Sequence, residues 1–400
     1  MSQYNDPTLV VDEFLGIRNT GQTKTRPVGS METAENINLH GIGEEGAALS
    51  IEGRDGYALS QSFTDIQAAY QTQDEQRLFI IDNGTLKYVN SDLTTVSIKS
   101  GFNSDPVYFT EAGNQIFYSG NIKGVVKEYT AYDYIPQPPV PAVTAIDGDL
   151  YEGRYMVTAT YTRADGAEGG APPAYVLNVS ANSALVIEAV APDGYDVNIY
   201  VSSANGSDLY WIYTGGSATI QWDDINSLSY TLDREQYQKE PLPDSCTVIE
   251  FHEGKIWAAD YSIDDDITAV RFSRPFFWHL YDCYCDYIAV PGKVLMLESV
   301  PSGIVIGTDR EIYVYTVEEA LVKLADYGVV EGYPASTMDD GNTIFWTKRG
   351  VCFALPFRNL TEEKVSLSPG NKCSTSIIRD DGEERFVILT DGIGTADNEY

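Results

Sequence analysis

Gln76-Arg77-Leu78-Phe79-Ile80-Ile81, then Asn83-Gly84, then Leu86-Lys87-Tyr88-Val89: this stretch reads as an apolar strand, a tight turn and a returning strand. Asn-Gly suits the turn because the shortest hairpins need positive φ at both central residues. The phrase recurs at Gly113-Asn114-Gln115-Ile116-Phe117-Tyr118, followed by Val125-Val126, and at Gly254-Lys255-Ile256-Trp257. It recurs at Gly303-Ile304-Val305-Ile306 with Ile312 to Tyr315, at Gly341 to Trp346 with Val351-Cys352-Phe353, and from Gly382 to Leu389.

The spacing carries the fold. Arg77 to Gln115 is 38 positions, Ile256 to Ile304 is 48, Ile304 to Ile344 is 40 and Ile344 to Phe386 is 42. A period near 40 with strand-turn-strand content predicts an all-β chain, a β-propeller of five to seven blades. Regular hairpins alone would also fit another antiparallel β protein. The 140 positions from Ile116 to Ile256 break the period and call for unseen blades or an inserted domain.

The insert has a visible edge. Ile135-Pro136-Gln137-Pro138-Pro139-Val140-Pro141 holds four prolines in seven residues, a stiff extended linker. Beyond it Gly153 to Tyr161 alternates, Asp165-Gly166 turns, and short apolar runs follow at 176–179, 184–189, 197–201, 209–213 and 219–222. Such a series predicts an immunoglobulin- or fibronectin-like β-sandwich over 142–240, the fibronectin-like version being preferred because no cysteine pair locks it. The organisation expected is an extended N-terminal arm at 1–45, a first propeller part at 46–134, the sandwich, and the rest of the propeller at 244–400. A hairpin is expected at 47–59 around Asp55-Gly56. Phe63 to Ala69 and Val317 to Ala325 are the best helical candidates.

Charge narrows the function. With 59 acidic against 26 basic residues the net charge is −33, the wrong sign for a protein that grips phosphate or anionic lipid. Arg18, Lys24 and Arg26 form a basic cluster within the arm, as a segment gripping a neighbouring subunit would, or a plain terminus. The start, Met1 to Asp6, lacks a basic region leading into an apolar stretch, and no run reaches membrane-spanning length. Five irregularly spaced cysteines then read as reduced thiols of a protein made in the cytosol.

Catalytic motifs are not evident. His40, His252 and His279 stand outside any motif, and His252 falls in an alternating strand two residues after Glu250. Cys283-Tyr284-Cys285 would place two sulfurs about 7 Å apart on one strand face, with His279 near, but a fourth zinc ligand is missing. Asp264-Asp265-Asp266 and Asp339-Asp340 lack the spacing of a calcium loop and read as solvated turns. The expectation is no catalytic residue, no cofactor and no metal. In Phe272-Ser273-Arg274-Pro275-Phe276-Phe277-Trp278 three consecutive aromatics cannot share one strand face. Phe276, Phe277 and Trp278 are therefore candidate subunit contacts, or a bent loop folded over a blade.

The order of features resembles a known group. Glu35-Asn36-Ile37-Asn38, Gly53-Arg54-Asp55-Gly56-Tyr57, Arg77 to Leu86, Gly153-Arg154-Tyr155, Gly254 to Trp257, Phe272 to Pro275 and Gly303 to Thr308 follow one another. In this order they are similar to the β-propeller virion proteins of tailed bacteriophages, of the tail-nozzle and packaged-DNA-stabilisation type. The likeness spans about residues 35–355 and rests on apolar patterns and turns. It implies a non-enzymatic structural protein of the tail, made in the bacterial cytoplasm and carried in the virion. It implies a homo-oligomeric ring, often hexameric, that contacts itself and neighbouring tail or adaptor proteins. Double-stranded DNA would pass through without specific binding, past acidic walls, and no membrane would be involved. The alternative from another class is a carbohydrate-binding or carbohydrate-cleaving propeller of a tail fibre, with an aromatic groove and two convergent carboxylates. A third reading, a bacterial adhesion module built on the sandwich, sits poorly with the unexported start.

Overall fold

Asn83 and Gly84 both adopt positive φ, 49° and 68°, and Leu78–Asp82 pairs with Thr85–Val89 across them. Glu253 and Gly254 repeat the device between Cys246–His252 and Lys255–Ser262. These features belong to a computed structural model that describes residues 37–40, 50–53, 63, 65–74, 76–227, 229–338, 340–362, 368–380 and 383–391. The chain divides into two compact units, Phe63–Ser299 and Met1–Ser62 with Val300–Tyr400.

The fold is all-β and its repeating part is of propeller type. In the first unit, Ile66–Gln71, Leu78–Asp82, Thr85–Val89 and Thr95–Ser100 form an up-and-down sheet, each strand pairing with the next. Tyr108–Ala112, Gln115–Ser119, Lys123–Lys127 and Thr130–Asp133 form a second. In the third, Cys246–His252, Lys255–Ser262 and Ile267–Arg274 run in sequence, and Phe277–Tyr281 and Tyr287–Pro291 both pair with Ile267–Arg274. Burial explains the composition. The second strands, with Phe79 to Ile81, Ile116 to Tyr118 and Ile256 to Ala259, are buried on both faces and so read as unbroken apolar runs. The last strand of the first sheet, Thr95–Ser100, is largely exposed and correspondingly polar.

The first strands stand side by side. The rings of Tyr70 and Phe109 stack at 5.5 Å, the Phe251 amide donates to Thr110 Oγ1 at 2.9 Å, and His252 Nδ1 meets Ser299 Oγ at 2.9 Å. Strands Ile66–Gln71, Tyr108–Ala112, Cys246–His252 and Val294–Val300 thus follow one another as the inner strands of consecutive blades do.

The insert is a two-layer sandwich of seven strands. Ala142–Leu150, Ser183–Ala189 and Ala218–Trp222 make one sheet; Tyr175–Val179, Gly153–Arg163, Tyr195–Ser202 and Leu209–Gly215 make the other. Both contribute to one core in which Tyr155, Val157, Leu185, Ile187, Val197, Ile199 and Trp222 meet. Each fully buried aliphatic there contributes about 1.5–3 kcal/mol. The strand order (1-4-7 facing 3-2-5-6) is its own and not the ABED/CFG order of an immunoglobulin constant domain. The outer face of the four-stranded sheet is covered by the returning chain, where Leu232 and Tyr237 pack on Tyr200, Leu209 and Trp211.

The second unit carries more small sheets. Gly303–Thr308, Ile312–Thr316 and Leu321–Ala325 pair in order, as do Ala335–Thr337, Thr343–Thr347, Gly350–Phe353 and Arg358–Asn359. Lys372–Asp380 pairs antiparallel with Glu383–Thr390 and parallel with Glu331–Tyr333. Trp346 anchors a core with Val330 and Cys373, and its indole N–H donates to the Pro369 carbonyl at 2.9 Å.

One expectation needs correction. The helical candidates are strands, Ile66–Gln71 and Leu321–Ala325, because pairing in a sheet overrides a weak helical pattern. Ser50–Gly53 pairs with Ile37–His40, inside the stretch read as an arm; the hairpin expected around Asp55-Gly56 lies outside the described residues.

Candidate functional site

The inner strands of the first unit bring together titratable groups that no motif announced. Glu111, Glu250 and Glu298 occupy three neighbouring strands, with Tyr70 on a fourth. Glu111 is neutralised locally: Arg77 approaches its carboxylate at 3.4 Å and the Gln73 amide donates to it at 3.1 Å. Among the described residues no cation pairs with Glu250 or Glu298. Burial pushes the Glu250 carboxyl well above its ordinary range, and the Glu298 charge pushes it further. Hydrogen bonds from the Ser299 and Phe251 amides and the Thr110 hydroxyl oppose that rise without cancelling it. The Thr110 oxygen also accepts from the Phe251 amide. Burial likewise raises Glu298, to about 8. Both side chains are half-buried by exposure, yet protein encloses them closely, and that enclosure governs the charge. Burial thus favours the protonated form at both carboxyls, and the charge of one opposes ionisation of the other. Burial also raises the Tyr70 phenol, and Glu111 and Glu250 add to the effect.

Sequence reasoning noticed Glu250 only as a neighbour of His252. The signal was available: Phe-Thr-Glu at 109–111, Val-Ile-Glu at 248–250 and Met-Leu-Glu at 296–298 each set one carboxylate in an apolar strand shortly before a turn glycine.

The aromatic segment splits in two. Phe276 stands at the tip of the turn between Ile267–Arg274 and Phe277–Tyr281, 80% exposed and at φ 64°. A bulky residue at positive φ is an outlier. Trp278 folds inward: its indole N–H donates to the Gly254 carbonyl at 2.9 Å, and its ring packs edge-on against Phe117 and Phe251. Phe277 is half-buried beside it. Arg274 is held by Glu235 and by Asp286, the latter at 2.7 Å, so the base of the turn is fixed. Arg18, Lys24 and Arg26 lie outside the described residues.

The other candidates fall into place singly. Cys283 and Cys285 sit in a turn, not on a strand face, because the Asp282 carboxylate accepts the Tyr284 and Cys285 amides at 3.2 and 3.1 Å. His279 donates to the Glu168 carbonyl. All five cysteines are free thiols, and among the described residues no His, Cys, Asp and Glu group has the geometry of a metal site. Asp264 to Asp266 form the turn expected, with Asp266 at φ 53°. Among the described residues no helix is long and apolar enough to cross a membrane.

This is an all-β protein of propeller-type blades carrying an inserted sandwich. No family model matches the chain, and no curated protein matches it. Among solved structures it is similar to PorZ of the type-IX secretion system of Porphyromonas gingivalis, at 12% identity and a TM-score of 0.33. That match covers 81% of this chain and 37% of the other, so the chain spans little more than a third of PorZ. It is also similar to a catalytically inactive virginiamycin B lyase from Staphylococcus aureus with quinupristin (10% identity, TM-score 0.32, covering 82% and 94%). A third is apo AztD from Citrobacter koseri (12% identity, TM-score 0.28, covering 81% and 89%). Similarity at this level assigns no activity to the chain.

Proposed function

We propose that the chain is a non-enzymatic structural component of a bacteriophage tail, a ring at the neck or nozzle that forms part of the DNA channel and an attachment point for other tail proteins. The observation that carries this reading is the order of sequence blocks, from Glu35-Asn36-Ile37-Asn38 through Gly153-Arg154-Tyr155 to Gly303 to Thr308, which is similar to that of virion propeller proteins. Two further features support it. A net charge of −33 suits a lumen that must not hold phosphate. Phe276, presented on a braced turn, has the character of an interface anchor. The test is native mass spectrometry of the purified protein together with its copy number in the assembled particle. A closed ring, with copies in a multiple of six, is expected; a monomer in the particle, or a lumen lined by Lys and Arg, overturns the reading.

One observation favours the carbohydrate alternative. Glu250 and Glu298 lie on neighbouring strands, and burial raises both carboxyls, the direction a glycosidase acid requires. A glycan array and a turnover assay separate the two: glycan cleavage abolished by Glu298→Gln establishes the alternative, and a silent array removes it.

A further inference from the structure

One small hairpin of the sandwich reaches two blades. Its tip, Arg163 to Glu168, follows the strand Gly153–Arg163 and closes through Arg163 N–H to the Ala167 carbonyl at 2.9 Å. The Asp165 carboxylate takes Arg163 Nε and Nη2 at 2.8 and 2.9 Å and Lys127 Nζ, from the second blade, at 2.5 Å. Arg163 reaches the same blade twice more: Nη1 donates to the Asp133 carbonyl at 2.5 Å, and the guanidinium lies over the Tyr132 ring at 4.6 Å. The Glu168 carboxylate stays within the sandwich, accepting from Asn198 at 2.8 Å, from Tyr200 at 2.6 Å and from Thr160. Its main-chain carbonyl accepts from His279 Nε2, on the third blade, at 2.8 Å. One six-residue hairpin thus engages two blades, and its third-blade contact is a histidine.

We propose that the Arg163–Glu168 hairpin is an acid-opened latch, with His279 the group that opens it and loosens the sandwich from the blades. The inference does not depend on the virion reading. His279 donates to the Glu168 carbonyl, within electrostatic reach of the Arg163 and Lys127 cations and the Asp165 carboxylate. Burial favours the neutral ring; the Glu168 carbonyl and Asp165 favour the cation, Arg163 and Lys127 oppose it, and the balance lies below the ordinary histidine range. A protonated ring adds a second N–H that needs a partner and a third positive charge beside those of Arg163 and Lys127. Because the closed form resists protonation and an open form does not, acid below about pH 6.5 drives opening. Asp165 does not act first: burial would raise its pKa, but Arg163 and Lys127 outweigh burial and keep it ionised well into acid.

The test is hydrogen exchange of the full chain from pH 7.5 to 5.0, corrected for intrinsic exchange rates. Amides of 163–170 are expected to lose protection by up to about tenfold per pH unit below about pH 6.5, the limit for one proton, while strand Lys255–Ser262 keeps its protection. In His279→Gln, which retains a donor and cannot titrate, that loss disappears; in His252→Gln it persists. The chain has only one further histidine, His40. Unchanged protection at 163–170 down to pH 5.0, simultaneous loss across the blades, or the same loss in His279→Gln each overturns the latch. Should His279→Gln fail to fold, the wild-type and His252→Gln series decide between local and global opening.

Discussion

Replacing Glu298 by Gln should stabilise the protein at alkaline pH and leave it unchanged in acid. The folded-state pKa of this carboxyl is raised, from an ordinary 4.5 to about 8, so the folded chain binds its proton more tightly than the unfolded chain does. Stability from such a group is fully present below about pH 4.5 and is lost as pH rises through the folded value. At about 1.4 kcal/mol per pH unit, holding a proton or an unpaired charge there at pH 7–8 costs about 3–5 kcal/mol at most. Partial exposure of the side chain brings that nearer about 1–3 kcal/mol. Glutamine keeps the shape and a neutral amide, and it also removes the charge that raises Glu250. Urea unfolding of wild type and Glu298→Gln at pH 4.5, 6, 7 and 8.5 reads the effect. The two curves should coincide at pH 4.5 and separate progressively above it, with the variant the more stable. A constant offset at every pH would mean packing rather than protonation. A variant less stable at pH 8.5 would mean that Glu298 sits charged and paired in the folded chain.

Three further outcomes follow from the same geometry. Trp278→Ala removes the contacts with Phe117 and Phe251 and strands the Gly254 carbonyl, and should cost about 3 kcal/mol in chemical denaturation. Phe276→Gly, at an exposed φ of 64°, should leave monomer stability within about 0.5 kcal/mol of wild type while weakening self-association measured by sedimentation. Gly170→Ala would set a methyl 1.9 Å from the Lys239 carbonyl; separating the returning chain from the sandwich should cost about 1–3 kcal/mol and raise amide exchange at 236–240.

The fold was legible where one residue type answers one local demand. Asn83-Gly84 and Gly254 mark turns that need positive φ, and the apolar second strands mark sheets covered on both faces. The proline run ends almost where the sandwich begins, at Ala142. Ala142–Leu150 itself was not legible: it is an edge strand with mostly exposed side chains, so no apolar alternation marks it. The Glu250–Glu298 pair was hidden for a different reason. The two residues are 48 positions apart, and only blade-to-blade packing makes them neighbours; among 59 acidic residues, composition cannot single them out.

A domain inserted between two blades could hang freely from its two linkers, yet this one is bound at both ends and across its face. The Arg163–Glu168 hairpin engages the second and third blades. The returning chain adds its own ties: Glu240 and Tyr281 exchange both main-chain hydrogen bonds, Lys239 pairs with Asp282 at 3.1 Å, and Gln137 donates to the Ala171 and Lys239 carbonyls. Half-buried charged contacts of this kind are geometrically demanding and lose their value when one partner shifts. They therefore fix one orientation of the sandwich rather than a range of them. If so, removing the Asp165 charge alone should be felt far from the hairpin. Asp165→Asn leaves Arg163 and Lys127 facing each other without an anion, and should cost about 3 kcal/mol, measured by denaturation at neutral pH. The returning segment 236–240 should then exchange faster, although the polar partners of Asp165 are Arg163, Lys127 and the Ala167 amide. An effect confined to the hairpin itself would show that the sandwich is held by independent contacts and not by one cooperative seam.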